Sequence, residues 1–209
     1  MNSFRFTGRA FAALLIAAAL TGCAGQEKAA DEAAAPPPTL DGAGTPGCGL
    51  ARPTPSPIET AGSTMWPTSA SLDDVLGRIG VAGEGRFAEH FAGLEVVPEK
   101  GHAIVYRVPS ADFDAFVTRE AGNECVYLRD AAFGRATLQT LADRVINDSA
   151  YWRKQNIQIN STSAGNDGTG VTVGVLPADV ARARAELPKR YGTAVPIIIE
   201  EQEPITPAW

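Results

Sequence analysis

From residue 71 onward apolar and polar positions follow two rhythms, one of period two and one near 3.6, which change over at turn residues. Residues 94–97 and 103–108 read as strands joined by Pro98-Glu99-Lys100-Gly101, with Ile104, Tyr106 and Val108 on one face. Pro109-Ser110 suits a helical first turn, Phe113, Phe116 and Val117 lie along one side of that helix, and Gly122-Asn123 ends it. Residues 125–128 follow as a third strand. The strongest helical stripe is Leu138, Leu141, Ala142, Val145 and Ile146, which predicts a helix continuing to about Trp152. The earlier order then recurs: Ile157 and Ile159, a glycine-rich turn over 163–170, Val171, Val173 and Val175, then Leu176-Pro177-Ala178-Asp179-Val180, which repeats the sense of 108–113. Val180, Ala183 and Leu187 mark the second crossover helix. Residues 195–201 close the unit, with Ile197, Ile198 and Ile199 read as a strand buried on both sides or on a covered edge.

The expected fold class is therefore α+β: two ββαβ units of the split βαβ, ferredoxin-like kind, at about 93–130 and 156–203, joined by an amphipathic helix. If each crossover leaps the first strand, that strand lies in the middle and all neighbours are antiparallel. Upstream, Ser71-Leu72-Asp73-Asp74 has the form of a capping box for a short helix to about Ile79, with Gly80, Gly83 and Gly85 interrupting it. Residues 86–91 fit either a helix or a loop.

The N-terminus reads as an address. Arg5 and Arg9 precede an uncharged apolar run of eleven residues over 10–20, within the roughly 7–15 of a signal-peptide core and short of the about 20 a spanning helix needs. It ends in Leu20-Thr21-Gly22-Cys23, which resembles the lipobox of bacterial lipoproteins. That resemblance implies cleavage before Cys23, diacylglycerol on its thiol, and a mature protein held by its acyl chains at the outer face of the cytoplasmic membrane. The expected organisation is signal peptide 1–22, tether 23–70 and α+β domain 71–209. The tether reading rests on composition: residues 24–70 carry eight of the fifteen prolines, six glycines and few large apolar groups, so they read as a semi-rigid spacer.

Composition narrows the chemistry. A formal charge of -6 over 209 residues supplies no basic footprint for phosphates, so no nucleic-acid partner is expected. With Arg5 and Arg9 removed, 16 basic groups face 24 acidic ones. Once Cys23 is lipidated, Cys48 and Cys125 remain in an oxidising compartment and are read as a disulfide pinning the tether's end to the third strand. No Cys-x-x-Cys or Cys/His cluster occurs, so no metal and no cofactor is expected. His90 and His102 are the only imidazoles, and neither lies in a nucleophile motif. Residues 165–170 read as a hairpin turn before a phosphate loop. Tyr151, Trp152 and Arg153 form the most distinctive aromatic and basic cluster, either a buried anchor or a platform for a ligand.

Phe91-Ala92-Gly93-Leu94-Glu95-Val96, followed by a returning strand over 101–108, a helix and a further strand, resembles the propeptide of α-lytic and streptogrisin-type secreted proteases. Such prodomains assist folding of their protease and inhibit it. No protease domain is expected to follow, and the first strand lacks the family's Trp and Asp, so the resemblance implies only the architecture. The expected function is a non-catalytic cell-surface lipoprotein whose sheet face or edge binds a protein or envelope component. An enzyme with a carboxylate site and a small-ligand carrier are the alternatives.

Overall fold

The computed structural model describes residues 42–53 and 55–203, which form one compact unit. The chain is mixed α+β. A small exposed hairpin, β1 (Ile58–Thr60) with β2 (Ser63–Met65), leads into α1 (Ala70–Glu84). Next come β3 (Phe91–Val97), β4 (His102–Arg107), α2 (Ala111–Ala121) and β5 (Val126–Asp130). The same order is then built again from α3 (Arg135–Asn147), α4 (Ser149–Lys154), β6 (Ile159–Ala164), β7 (Val171–Val175), α5 (Val180–Tyr191) and β8 (Ile197–Glu201).

The repeat extends to the hydrogen-bond ladder. Phe91 pairs with Arg107 and Ile159 with Val175, each partner 68 positions later in the second unit, and the register slips next to that pair in both, between Phe91 and Gly93 and between Ile159 and Ser161. The repeat is also longer than the periodicity predicts. Helix α3, expected to join the units, packs on β6 and β7, as α1 packs on β3, so each unit is αββαβ.

Strand order differs from the expected one. The sheets run β3-β4-β5 and β6-β7-β8, and the second strand of each unit, not the first, is central. It pairs antiparallel with the first strand and parallel with the third. Burial explains the choice. Ala103, Ile104 and Val105 of β4 and Val171, Val173 and Val175 of β7 are all buried, and near-continuous apolar strands belong inside a sheet. The tight turn after β3 already fills one edge of β4, so the crossover brings β5 to the other.

Helix boundaries shift for local reasons. Ser69, not Ser71, caps α1, its hydroxyl accepting from Leu72 N at 3.2 Å. The helix runs past Ile79 and through Gly80 and Gly83, and Gly83 is needed there: a Cβ would lie 2.5 Å from the Phe91 ring. The long helix expected to reach Trp152 breaks at Asp148 into α3 and α4. Ser110 caps α2 as predicted, accepting from Phe113 N at 3.4 Å.

Each unit has its own core. Leu72, Val75 and Ile79 of α1 and Phe113 and Val117 of α2 close over Val105, Val126 and Leu128. In the second unit Leu138, Val145 and Trp152 meet Val171, Val173, Ala183 and Leu187. The first core also contains a charge. Arg107 is fully buried at the end of β4, its Nε and Nη2 donating to Asp114 of α2 at 2.6 and 3.1 Å and its Nη1 to Asp130 of β5. A buried guanidinium is tolerated because its fork is met by carboxylates. At the equivalent place in the second unit stands Val175.

The two units meet at the β6–β7 hairpin. Its tip lies against β3 and the loop after β5: Phe133 N donates to Gly168 O at 3.2 Å, and the Asn166 carbonyl occupies the space a side chain at Gly93 would need. Gly168 has φ +72°, and a Cβ there would lie 2.5 Å from Ala131 Cβ and 2.7 Å from Phe133 O. Gly168→Ala is therefore expected to lower unfolding stability by about 1–3 kcal/mol through overpacking and left-handed strain. Urea unfolding measures it, and a change within about 0.5 kcal/mol, the scatter of ordinary surface substitutions, would contradict this junction.

Candidate functional site

The two units differ most at their third-strand edges. In the first unit the outer edge of β5 is covered by residues 42–45. Gly44 bridges Tyr127 in antiparallel sense. Gly42 N donates to Leu128 O at 2.7 Å, Leu128 N to Ala43 O at 3.1 Å, and Thr45 N to Val126 O at 2.9 Å. The Thr45 hydroxyl accepts from Val126 N at 3.1 Å and donates to Glu124 O at 2.9 Å. Cys48 and Cys125 form a disulfide immediately beyond, and Arg52 adds a 2.7 Å ion pair to Glu124 and a bond to the Asn123 carbonyl. Cys23, the expected lipidation site, lies outside the described residues.

The matching edge in the second unit is bare among the described residues. Ala103 pairs with Val126 and Val171 with Ile197, so Ile197 and Ile199 occupy the places of Val126 and Leu128. Val171 N donates to Pro196 O and Gln202 N to Val175 O, which assigns the inward positions of the parallel ladder to 196, 198, 200 and 202. The N–H and C=O groups of Ile197, Ile199 and Glu201 therefore point outward. The run of three isoleucines is thus an edge strand that is not buried on both sides and that no described residue covers: Ile199 is 8% exposed, but Ile198 is 41% exposed. Glu200, Glu201 and Glu203 are exposed beside it.

Helices cover one face of each sheet, and the other faces meet the hairpin tip in a cleft of about 470 Å³ lined by Glu95, Tyr106, Asn166, Asp167, Thr172 and Ile198 among others. Tyr106 donates to Glu95 Oε2 at 2.6 Å, and that bond, ahead of burial, raises the phenol above its ordinary value. Asp167 is held by Thr169 N and Oγ1 at 3.1 and 2.8 Å, an arrangement typical of a turn carboxylate. The cleft offers acceptors and a hydroxyl, which suits a hydrogen-bonding partner. On the same sheet face His102 packs edge-on to Tyr127, ring centres 5.0 Å apart. Burial first, and the Lys100 charge next, hold its imidazole below the usual value.

Tyr151, Trp152 and Arg153 diverge within the second unit. Trp152 is 2% exposed, its Nε1 donating to the Tyr191 hydroxyl at 2.7 Å, which in turn donates to Asp148 at 2.9 Å. Tyr151 is 41% exposed beneath the Arg190 guanidinium, 4.0 Å from its ring centre, and Arg153 is exposed. Arg190 binds Asp148 at 2.8 Å and, with Tyr191 second, keeps that carboxyl below the ordinary range. Between α4 and α5 lies a groove of about 730 Å³ lined by Tyr151, Trp152, Gln155, Arg182, Lys189 and Arg190, with Glu186.

Two features escaped the sequence reading. Arg107 is in phase with Ala103 and Val105, so an inward-facing arginine was visible as a demand for acids on neighbouring elements. Glu95 and Tyr106 are diagonal neighbours across the β3–β4 hairpin, Glu95 pairing with Ile104 and Tyr106 with Gly93. Among the described residues no group of three or more His, Cys, Asp or Glu converges as a metal site. No protein-family model, curated protein or solved structure matches the chain.

Two outcomes follow. The disulfide closes a sequence separation of 77, for which loop-closure entropy gives about 4 kcal/mol. Cys48→Ala with Cys125→Ala should therefore lose a few kcal/mol in urea unfolding and speed amide exchange at Val126 and Leu128; unchanged exchange there would refute the pinning. For His102 the folded state favours the neutral ring, so its contribution is present above the ordinary imidazole value and is lost as pH falls through the lower folded value. Stability should drop between about pH 7 and pH 5, and less so in His102→Gln; parallel curves would contradict the shift.

Proposed function

We propose that the chain is a non-catalytic lipoprotein, held through Cys23 at the outer face of a bacterial membrane, whose α+β module binds a protein partner along the β8 edge. The observation that carries this reading is the asymmetry of the repeat. The β5 edge has an added antiparallel strand from the chain's own residues 42–45, whereas the equivalent β8 edge has none among the described residues. Exposed edges are ordinarily blunted or covered, because unpaired N–H and C=O groups template pairing with another chain. An extended segment would add to β8 as 42–45 adds to β5, with backbone bonds giving affinity and side-chain pockets giving selectivity. The helix-free sheet faces and their cleft adjoin this edge through Ile198 and Thr172. The tether reading applies to the residues before 42, with Arg52 and the disulfide marking where the chain is fastened. In the enzyme alternative Glu95 and Asp167 would be the working acids, but both are engaged in local hydrogen bonds.

Intact cells grown with a clickable palmitate analogue test the whole reading. The mature protein should carry the label, and Cys23→Ala should lose it. A photocrosslinking residue at Glu201 should give a discrete adduct that one at Arg119, on the helical face, does not. Ile197→Pro removes an outward N–H and spares the bonds to β7, so it should abolish the adduct. An unlabelled protein would end the lipoprotein reading, and adducts indifferent to Ile197→Pro would end the edge reading.

A further inference from the structure

The crossover helices of the two repeats carry charge of opposite sign. In the first unit the crossover helix α2 carries Asp112, Asp114 and Glu120 against Arg119. In the second, α4 and α5 together carry Arg153, Lys154, Arg182, Arg184, Lys189 and Arg190 against the single Glu186. This concentration occurs on a chain whose formal net charge is -6. It is not a by-product of an evenly mixed surface, and nothing in the fold of the second unit requires it, since the buried stripe of α5 is Val180, Ala183 and Leu187.

The groove between the two helices organises part of this charge. Arg182 reaches across it and donates to the carbonyl of Asn156 at 2.7 Å, Lys189 stands 68% exposed and pairs with Glu186, and the Arg190 guanidinium sits 4.0 Å from the ring centre of Tyr151. Arg153, Lys154 and Arg184 are exposed and have no ion-pair partner among the described residues. An exposed tyrosine stacked with an arginine and surrounded by further cations is the chemistry of a bilayer interface. The ring occupies the headgroup level, and long basic stems keep their charges beside lipid phosphates.

We infer that the α4–α5 face of the second unit docks on an anionic phospholipid surface, the groove between Arg182 and Lys189 receiving headgroup phosphates. Clustered Lys and Arg residues attract such surfaces over about a Debye length, and the attraction falls as salt rises. The inference rests on the membrane-tethered reading and deepens it. A protein held at one end by acyl chains would be laid down by a second, salt-sensitive contact, which sets the direction in which the β8 edge and the sheet cleft point.

The experiment uses residues 24–209, which contain the whole compact unit and lack the acylated cysteine, so its result is independent of palmitate labelling. Co-sedimentation is measured with phosphatidylcholine vesicles containing about one third phosphatidylglycerol, and with phosphatidylcholine alone, the fraction bound being set by surface charge. Binding is expected only to the anionic vesicles and is expected to vanish at about 0.5 M salt. Lys154→Gln with Lys189→Gln should weaken it roughly tenfold or more, as should Arg182→Gln in combination with either, while Arg119→Gln on α2 leaves it unchanged. Melting temperatures show that the variants remain folded, and the exposed lysine pair keeps the test valid if Arg182→Gln loosens α4. Equal binding to both vesicle types, no binding to either, or tighter binding to soluble polyphosphate than to anionic vesicles would each overturn the inference.

Discussion

The buried Arg107 is the interaction on which the arrangement of the first unit depends. Its side chain joins three elements that a crossover must bring together, the end of β4, the first turns of α2 and the end of β5. Its main chain extends the same node, since Arg107 O accepts from Ala131 N and so directs the loop that follows β5. That loop receives Gly168 of the second unit's hairpin. A guanidinium with its carboxylates tolerates little misalignment, and leaving it unpaired in a core would cost several kcal/mol. The ion pairs therefore specify where the crossover lands, and the junction between the units inherits that precision.

The second unit reaches the same topology without the charge. Val175 replaces Arg107, and the valines of β7 with Leu138, Val145 and Trp152 supply an entirely apolar core. Duplicated architecture with divergent means is visible at three levels. One core has an ionic node and the other a tryptophan held by Tyr191 and Asp148; one third-strand edge is covered and the other is bare among the described residues; one crossover helix is acidic and the other basic. In each case the ladder register is preserved and the side-chain or edge chemistry is altered. This is the pattern expected when a scaffold is kept for stability and its outer faces are given separate tasks.

Residues 42–52 show how a segment poor in apolar groups can still be ordered. Its backbone satisfies an edge strand, Thr45 closes the remaining donors, and a disulfide removes the entropy of the intervening loop. None of this requires a hydrophobic core of its own. Composition therefore describes the spacer-like character of the stretch, whereas the fastening comes from main-chain groups and one sulfur bond.

Much of the local structure was legible in the residues. The recurrence of a strand pair, a Pro-led helix and a third strand about 68 positions apart was visible because period-two and period-3.6 patterns depend only on nearest neighbours along the chain. Ser110 as a cap, the 98–101 turn and the pairing of Cys48 with Cys125 were readable for the same reason, from local geometry and from elimination. What needed the tertiary structure was everything set by which element reaches the middle of a sheet. The central place of β4 and β7, the exposure of Ile198 and the partners of Arg107 follow from competition for burial among elements that the local pattern does not rank, and no periodicity encodes the outcome of that competition. Sequence by itself determined the elements and their repetition, because each is a matter of local backbone preference. The tertiary structure alone decided the order of the strands and hence which strands form the edges, because an edge is defined by the neighbours its backbone finds across the sheet and not by its own residues.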